Sequence, residues 1–285
     1  MLQSSLAGLT SGGAYAALGV CLVLMYRMVG VVNFALTATG AFGTYVALVL
    51  WGHGVPYVAA ALVGAAAGAA ISALLGAVMA TWFYDVGPEV HASVAIAMMI
   101  GLLALGFQAF GHGPRSLPAV LQGPAATVSG ATITVVAVVV VAASVAIALA
   151  TWVLLRTTTI GVRLRAVSER PVTAELLGIP ARPLTVAVWA LAGALSTAIV
   201  VLVAPTRPSD FLSLSLLVVP ALAAALVGVF TSFGATVAGG IGIGLIEGLV
   251  TDSDALAPYS TVLPVVVIFM VLLWSQRRER WDVTR

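Results

Sequence analysis

The chain has 285 residues, of which 61% are hydrophobic and 8% charged, and its formal net charge is +2. A soluble domain carries about a quarter charged residues, so this chain has too little charge to cover a water-facing surface, and its solvent must be mostly lipid. The apolar runs are continuous and near twenty residues long. They lack the alternation of barrel strands, which leaves an all-α class: a polytopic transmembrane helical bundle. Every basic residue is Arg, and the basic pI near 9.0 is read as topology rather than as affinity for nucleic acid. Cys21 is the single cysteine, so an intrachain disulfide and a cysteine-based metal site are excluded.

Matched against the length a bilayer requires, the apolar runs predict about nine spans, eight if one is re-entrant. In chain order they are Leu6 to Met28, Phe34 to Trp51, Val58 to Tyr84 and Ala92 to Phe110. A polar loop from Gly111 to Gly130 follows, then spans at Ala131 to Leu155, Leu184 to Val203, Leu212 to Phe230, Ala235 to Val250 and Tyr259 to Trp274. The second and eighth are short, which makes either a candidate re-entrant segment. The first has neither a basic flank nor a small-residue cleavage site and reads as a permanent span. No soluble domain or linker interrupts the pattern, so residues 1–285 read as a single transmembrane domain with one charged loop at 156–182.

Arginine sets the expected orientation. With the C-terminus cytoplasmic and an odd number of spans, the inner side holds Arg27, Arg156, Arg163, Arg165, Arg170, Arg182, Arg277, Arg278, Arg280 and Arg285. The outer side holds only Arg115 and Arg207. Small residues crowd several spans, notably Gly64 to Ala70 and Gly239 to Gly244. In lipid such residues let helix backbones approach closely.

The stretch from Thr159 to Leu184 differs from everything around it. Gly161 to Val167 can continue the fifth helix into the cytoplasm, with an interruption at Ser168, Glu169 and Arg170. Pro171 suits the first position of a new helix, where its missing N–H would be unpaired in any case. Ser168 or Glu169 is a candidate cap. Gly178 is the expected stop, and Pro180 and Pro183 keep the following chain extended. Leu176 and Leu177 give the short helix an apolar edge. Two roles fit: a coupler gripped by a partner, or a loop that only fixes topology.

Here the sequence resembles branched-chain amino-acid ABC permeases of the LivH type. Gly161, Arg163, Arg165, Ala166, Val167 and Glu169, followed by Ala174, Leu176, Leu177, Gly178 and Ile179, are similar to that family's cytoplasmic coupling loop. Gly30, Asn33, Phe34 and Ala35 are similar to its motif after the first span, and the run from Ala225 to Leu249 to its Gly-rich region. Some positions depart from the family pattern: Leu36-Thr37-Ala38 replaces His-Gly-Glu, Pro220 replaces a Lys, and Gly228 to Gly234 is a reduced Gly-rich loop. The resemblance implies the permease subunit of an ABC importer in a bacterial inner membrane. Its implied partners are cytoplasmic ATP-binding subunits, a second identical or homologous permease and an extracytoplasmic solute-binding protein. Branched-chain or other amino acids are the implied cargo, with urea, amides or sugars as alternatives. The coupling residues it implies are Arg163, Arg165, Glu169, Pro171, Ala174, Leu177 and Gly178.

Candidate pathway residues come from the cost of polar groups in lipid. Glu247 reads either as a pathway or bracing group or as an acid near the interface, and Asn33 either as a pathway group or as a simple helix N-cap. No cofactor or metal is expected in this chain: His53, His91 and His112 lack metal spacing. Without Lys there is no P-loop, so ATP and Mg belong to partner subunits. No catalytic constellation is visible, so an enzyme is not expected. The rivals to an importer permease are a secondary transporter or channel, and a membrane scaffold.

Overall fold

The computed structural model describes residues 2–282 apart from 85, 114, 116–117, 119–122, 129–130, 208–209 and 254–255. For residues 2, 128, 131 and 275–282 it describes the backbone alone. The side chains of Arg277, Arg278 and Arg280, and all of Arg285, therefore lie outside it.

Helices account for nearly all the described structure. They are α1 (Leu2–Val29), α2 (Leu36–Gly52), α3 (Tyr57–Trp82), α4 (Pro88–Phe110), α5 (Val135–Thr157), α6 (Thr159–Glu169), α7 (Pro171–Leu176), α8 (Ala181–Val203), α9 (Phe211–Ser215), α10 (Val218–Val227), α11 (Phe233–Thr251) and α12 (Leu263–Asp282). Seven helices are long and apolar enough to cross a membrane. The stretches Leu36–Gly52 and Phe211–Val227 are shorter. Thus all nine predicted stretches exist as helix, but it is the seventh that breaks, into α9 and α10. The eighth, α11, is a full 19 residues. The break follows from Pro220: without an N–H it cannot bond to the carbonyl four residues back, and its ring crowds that carbonyl, so the helix is interrupted at Leu216 and Leu217.

Two further expectations are corrected. The region read as a loop before α5 contains an antiparallel pair, β1 (Pro124–Val128) and β2 (Ala131–Thr134), so the fifth span starts at Val135 instead of Ala131. Four short β-capable residues at a helix entrance, Ala-Thr-Ile-Thr, pair locally before the chain enters lipid. The fifth helix also does not run on unbroken. Thr158 adopts extended geometry, and its hydroxyl accepts from the Gly161 N–H at 3.0 Å, which starts α6 as a separate helix.

α1 is the axis of the bundle. Of its spanning stretch 89% is buried, against 17% for α4. It packs against α5, α8, α10 and α11, with Leu18, Leu22, Met25 and Met28 fully enclosed. Its contact with α11 is built on small residues. A Cβ on Gly244 would fall 2.3 Å from Gly12, one on Gly240 2.4 Å from Ala16, and one on Gly248 2.3 Å from the Ser4 carbonyl. A second such seam joins α3 to α8 and α2, where Gly64, Gly68, Ser72 and Gly76 recur every fourth residue and are met by Ala47, Thr197, Gly193 and Trp189. Lipid tails compete equally for apolar surface, so close backbone approach is what holds these helices together.

Candidate functional site

Three places in the bundle concentrate polar or irregular structure. The first is the α6–α7 segment. Leu164 and Val167 are buried, anchoring α6 against the end of α1. Pro171 begins α7 at its first turn, and the N-cap is Arg170, without any side-chain capping bond. Neither Ser168 nor Glu169 fills that position; the Ser168 hydroxyl instead donates back to the Arg165 carbonyl at 2.9 Å. Ala174 is buried with Val167 and Ala181, which ties α7 to both neighbouring helices. The end of α7 is a two-bond turn: Gly178 N–H donates to the Glu175 carbonyl at 2.9 Å and Ile179 N–H to the Ala174 carbonyl at 3.0 Å. Gly178 takes φ +79, which its lack of a Cβ permits.

The predicted charged residues of this segment are not gathered into one cluster. Arg165 lines a cavity with Arg27 and Arg156. Glu169 lines a different one with Pro171 and His91. Arg163 is exposed on α6, two positions from Arg165 and so on another face. The tip of α7, by contrast, presents two leucines outward. Leu176 is 84% exposed and Leu177 75%. Arg182 steadies the base, lying 3.8 Å from the Glu175 carboxylate and stacked over the Tyr84 ring at 5.5 Å.

The second place is inside the membrane. The chain leaves α1 at Gly30, turns back, and starts α2 within the bundle. Asn33 is fully buried. Its Oδ1 accepts from the Ala35 N–H at 2.9 Å, and its Nδ2 faces the Met25 sulfur at 3.5 Å. It thus holds the turn two residues before the helix, and Ala35 is the N-cap. The Leu36 carbonyl accepts from Ser196 Oγ at 3.0 Å. Ser196 lies about 22 Å along α8 from its start at 1.5 Å per residue, so α2 begins deep in the bundle. There it meets the α9–α10 break, where the Thr37 hydroxyl donates to the Ser215 carbonyl at 2.5 Å. A carbonyl freed by a helix break has no water to bond to in lipid, and this contact satisfies it. The start of the unbroken helix α2 thus faces the α9–α10 break at depth, and discontinuous helices at such depth are where membrane transporters place solute contacts. The sequence signals were Asn33 and Pro220, but nothing in it linked Thr37 to Ser215.

The third place is at the opposite end from α6–α7. Tyr15 donates to Glu247 Oε2 at 2.7 Å. Arg207 donates to the Tyr15 hydroxyl at 2.9 Å and to Ser11 Oγ at 2.5 Å, and stacks over the Tyr15 ring at 5.4 Å. Glu247 is half-buried and lines two cavities, of about 320 and 350 Å³. It neither snorkels alone nor stands isolated. Ser11 and Glu247 line both cavities, and Arg207 lines the larger, so the cluster is a polar wall between α1, α11 and the α8–α9 connection. Arg207 entered the sequence reading only as an outer topology charge. Arg207 and Tyr15 are 192 residues apart in the chain, and Tyr15 and Glu247 are 232 apart, so no local pattern joins them. Among the described residues there is no group of three or more His, Cys, Asp or Glu placed to hold a metal ion.

The family model described as "Branched-chain amino acid transport system / permease component" matches residues 4–272. No curated protein matches the sequence. Among solved structures, PsaBC from Streptococcus pneumoniae in complex with Fab is similar at 15% identity, over 95% of this chain and 89% of that one, with a TM-score of 0.47.

Proposed function

This chain belongs to the branched-chain amino acid transport permease family, and on that premise we propose that it is the membrane-spanning subunit of an ABC importer, carrying amino acids, branched-chain ones among them, into the cytoplasm. In this reading two permease subunits, identical or homologous, sit side by side in a bacterial inner membrane with the C-terminus cytoplasmic. Separate ATP-binding subunits with their ATP and Mg engage α6–α7, and a solute-binding protein delivers cargo to the end bearing Tyr15, Arg207 and Glu247. Urea, amides and sugars remain the alternative cargoes.

The observation that carries the proposal is the build of α6–α7. Its second helix, α7, has buried Ala174 at its root, packed with Val167 of α6 and Ala181 of α8, and two exposed leucines at its tip. Force applied at Leu176 and Leu177 reaches two spanning helices at once. Closure of the ATPases would move that tip and bias the bundle between inward and outward access. In the same proposal Arg163, Arg165 and Glu169 meet the ATPase around the tip, on more than one side of α6, and Asn33 and Glu247 border the solute path.

The test is uptake by the whole transporter. Arg165→Glu and Leu176→Asp are expected to abolish solute-dependent ATP hydrolysis and uptake while the chain remains in the membrane. Normal ATP-driven uptake in both variants would reject the coupling assignment. Uptake that survives loss of ATP but collapses with an uncoupler would instead favour a secondary transporter.

A further inference from the structure

Two cavities on the α6–α7 end of the bundle adjoin, sharing three lining residues, and differ in character. The first, of about 440 Å³, is lined by Arg27, Arg156, Arg165 and the Thr231-Ser232 turn that opens α11. No Asp or Glu lines it among the described residues. The second, of about 270 Å³, is an apolar groove along α5 and α11, walled by Val145, Ala148, Leu149 and Val237. Trp152, Phe233 and Gly234 belong to both. Val145 and Leu149 are half-exposed or more, so the groove opens sideways towards the hydrocarbon.

The arginines are held in place yet have free donors. Arg27 stacks on the Phe233 ring at 5.3 Å and gives one bond, at 3.2 Å, to the Thr231 carbonyl. Arg156 stacks on Trp152 at 4.9 Å. A guanidinium has five N–H donors in a planar fork suited to phosphate oxygens. Aromatic stacking fixes its plane without using those donors. A cationic chamber that shares a wall with a lipid-facing apolar groove matches one kind of molecule, with an anionic head and an acyl tail.

We propose that this cleft between α5, α6 and α11 binds an anionic phospholipid, its phosphate between Arg27 and Arg156 and one acyl chain along Ala148 and Leu149. The assignment requires only that the chain spans a bilayer; it does not depend on coupling to an ATPase. Gly234 supplies a clean probe. A Cβ there would meet no atom within 4 Å, and Gly234 lines both cavities, so a larger side chain is placed where they adjoin.

The experiment measures, by mass spectrometry, the phospholipids retained by the purified full-length protein. The wild type is expected to retain phosphatidylglycerol or cardiolipin in preference to phosphatidylethanolamine. Each Arg near an anionic lipid surface is worth about a factor of five in binding, so Arg27→Gln with Arg156→Gln should lower anionic lipid retention about twenty-five-fold. Gly234→Leu should lower it with all charges intact, and Arg163→Gln should leave it unchanged. Equal retention of phosphatidylethanolamine, or unchanged retention in both the double variant and Gly234→Leu, would overturn the proposal. So would delipidated protein stabilised as well by inorganic phosphate as by phosphatidylglycerol, since the site would then take a free anion. Disulfide dimers through Leu149→Cys, in a Cys21→Ala background, would show that a second copy covers the groove.

Discussion

The Tyr15 hydroxyl donates to Glu247 and accepts from Arg207, so both its hydrogen-bonding directions are engaged at one point in the bundle. Tyr15→Phe keeps the ring beneath the guanidinium but strips both polar partners of that contact. Hydrogen bonds between membrane helices are worth roughly 0.6–1.7 kcal/mol, and a loss of that size is expected in detergent unfolding of the variant. At Val229 the backbone has φ +50 and at Phe230 φ +52, in the region where a Cβ crowds the following carbonyl. The cost for an L-residue is about 1–2 kcal/mol, so Val229→Gly should raise the unfolding midpoint by the equivalent of about 1 kcal/mol after the added chain entropy of Gly. Phe230→Gly should not, because it also loses the ring contact with Tyr26 at 5.2 Å. Asp210 caps α9. Burial pushes its carboxyl up, but the Ser213 hydroxyl and the backbone N–H groups of Ser213, Asp210 and Leu212 outweigh this and hold it below the usual carboxylate range. Its contribution is therefore complete above that range and is lost only as the pH falls through the depressed value. Asp210→Asn should narrow the stability difference from wild type only under strongly acid conditions.

At the scale of elements, the decisive contacts are glycine faces rather than apolar faces. A Cβ on Gly244 would lie 2.3 Å from Gly12, whereas one on Gly242, two residues away on the same helix, would face open space. Gly244→Leu should destabilise the fold by about 1–3 kcal/mol or more as α1 and α11 are pushed apart, and Gly242→Leu should be tolerated. Thermal unfolding of the two variants, read by loss of monomer on size-exclusion chromatography, checks the contrast. The glycine-rich tract was visible in the sequence. Which of its members touch α1 was not, because helical spacing defines a stripe but not the helix it meets. The same holds for the short helices. Pro171 and Gly178 are local signals, set by a missing N–H and a missing Cβ, and they mark the start and stop of α7 directly from the residues. The break at Leu216 was also locally encoded by Pro220, yet an unbroken hydropathy pattern masked it.

For the whole molecule, the arginine distribution predicts that α7 faces the cytoplasm. In a Cys21→Ala background, Leu176→Cys should react with a membrane-impermeant thiol reagent in inside-out vesicles and not in sealed right-side-out ones, while Ser4→Cys should show the reverse. Labelling of both from the same side would reject the spanning topology.

Composition and hydropathy determined the solvent, the helical class and the approximate position of every spanning stretch, because the cost of an unpaired backbone group in lipid leaves so few alternatives. Only the tertiary structure decided that α1 is the buried axis, that Asn33 braces a turn beside the entrance of α2, and that Tyr15, Arg207 and Glu247 form one wall. The physical reason is that lipid-facing and buried helices alike are apolar enough to span a bilayer, so hydrophobic periodicity does not distinguish the inside of this protein from its outside. Contacts between residues some two hundred positions apart arise from packing alone.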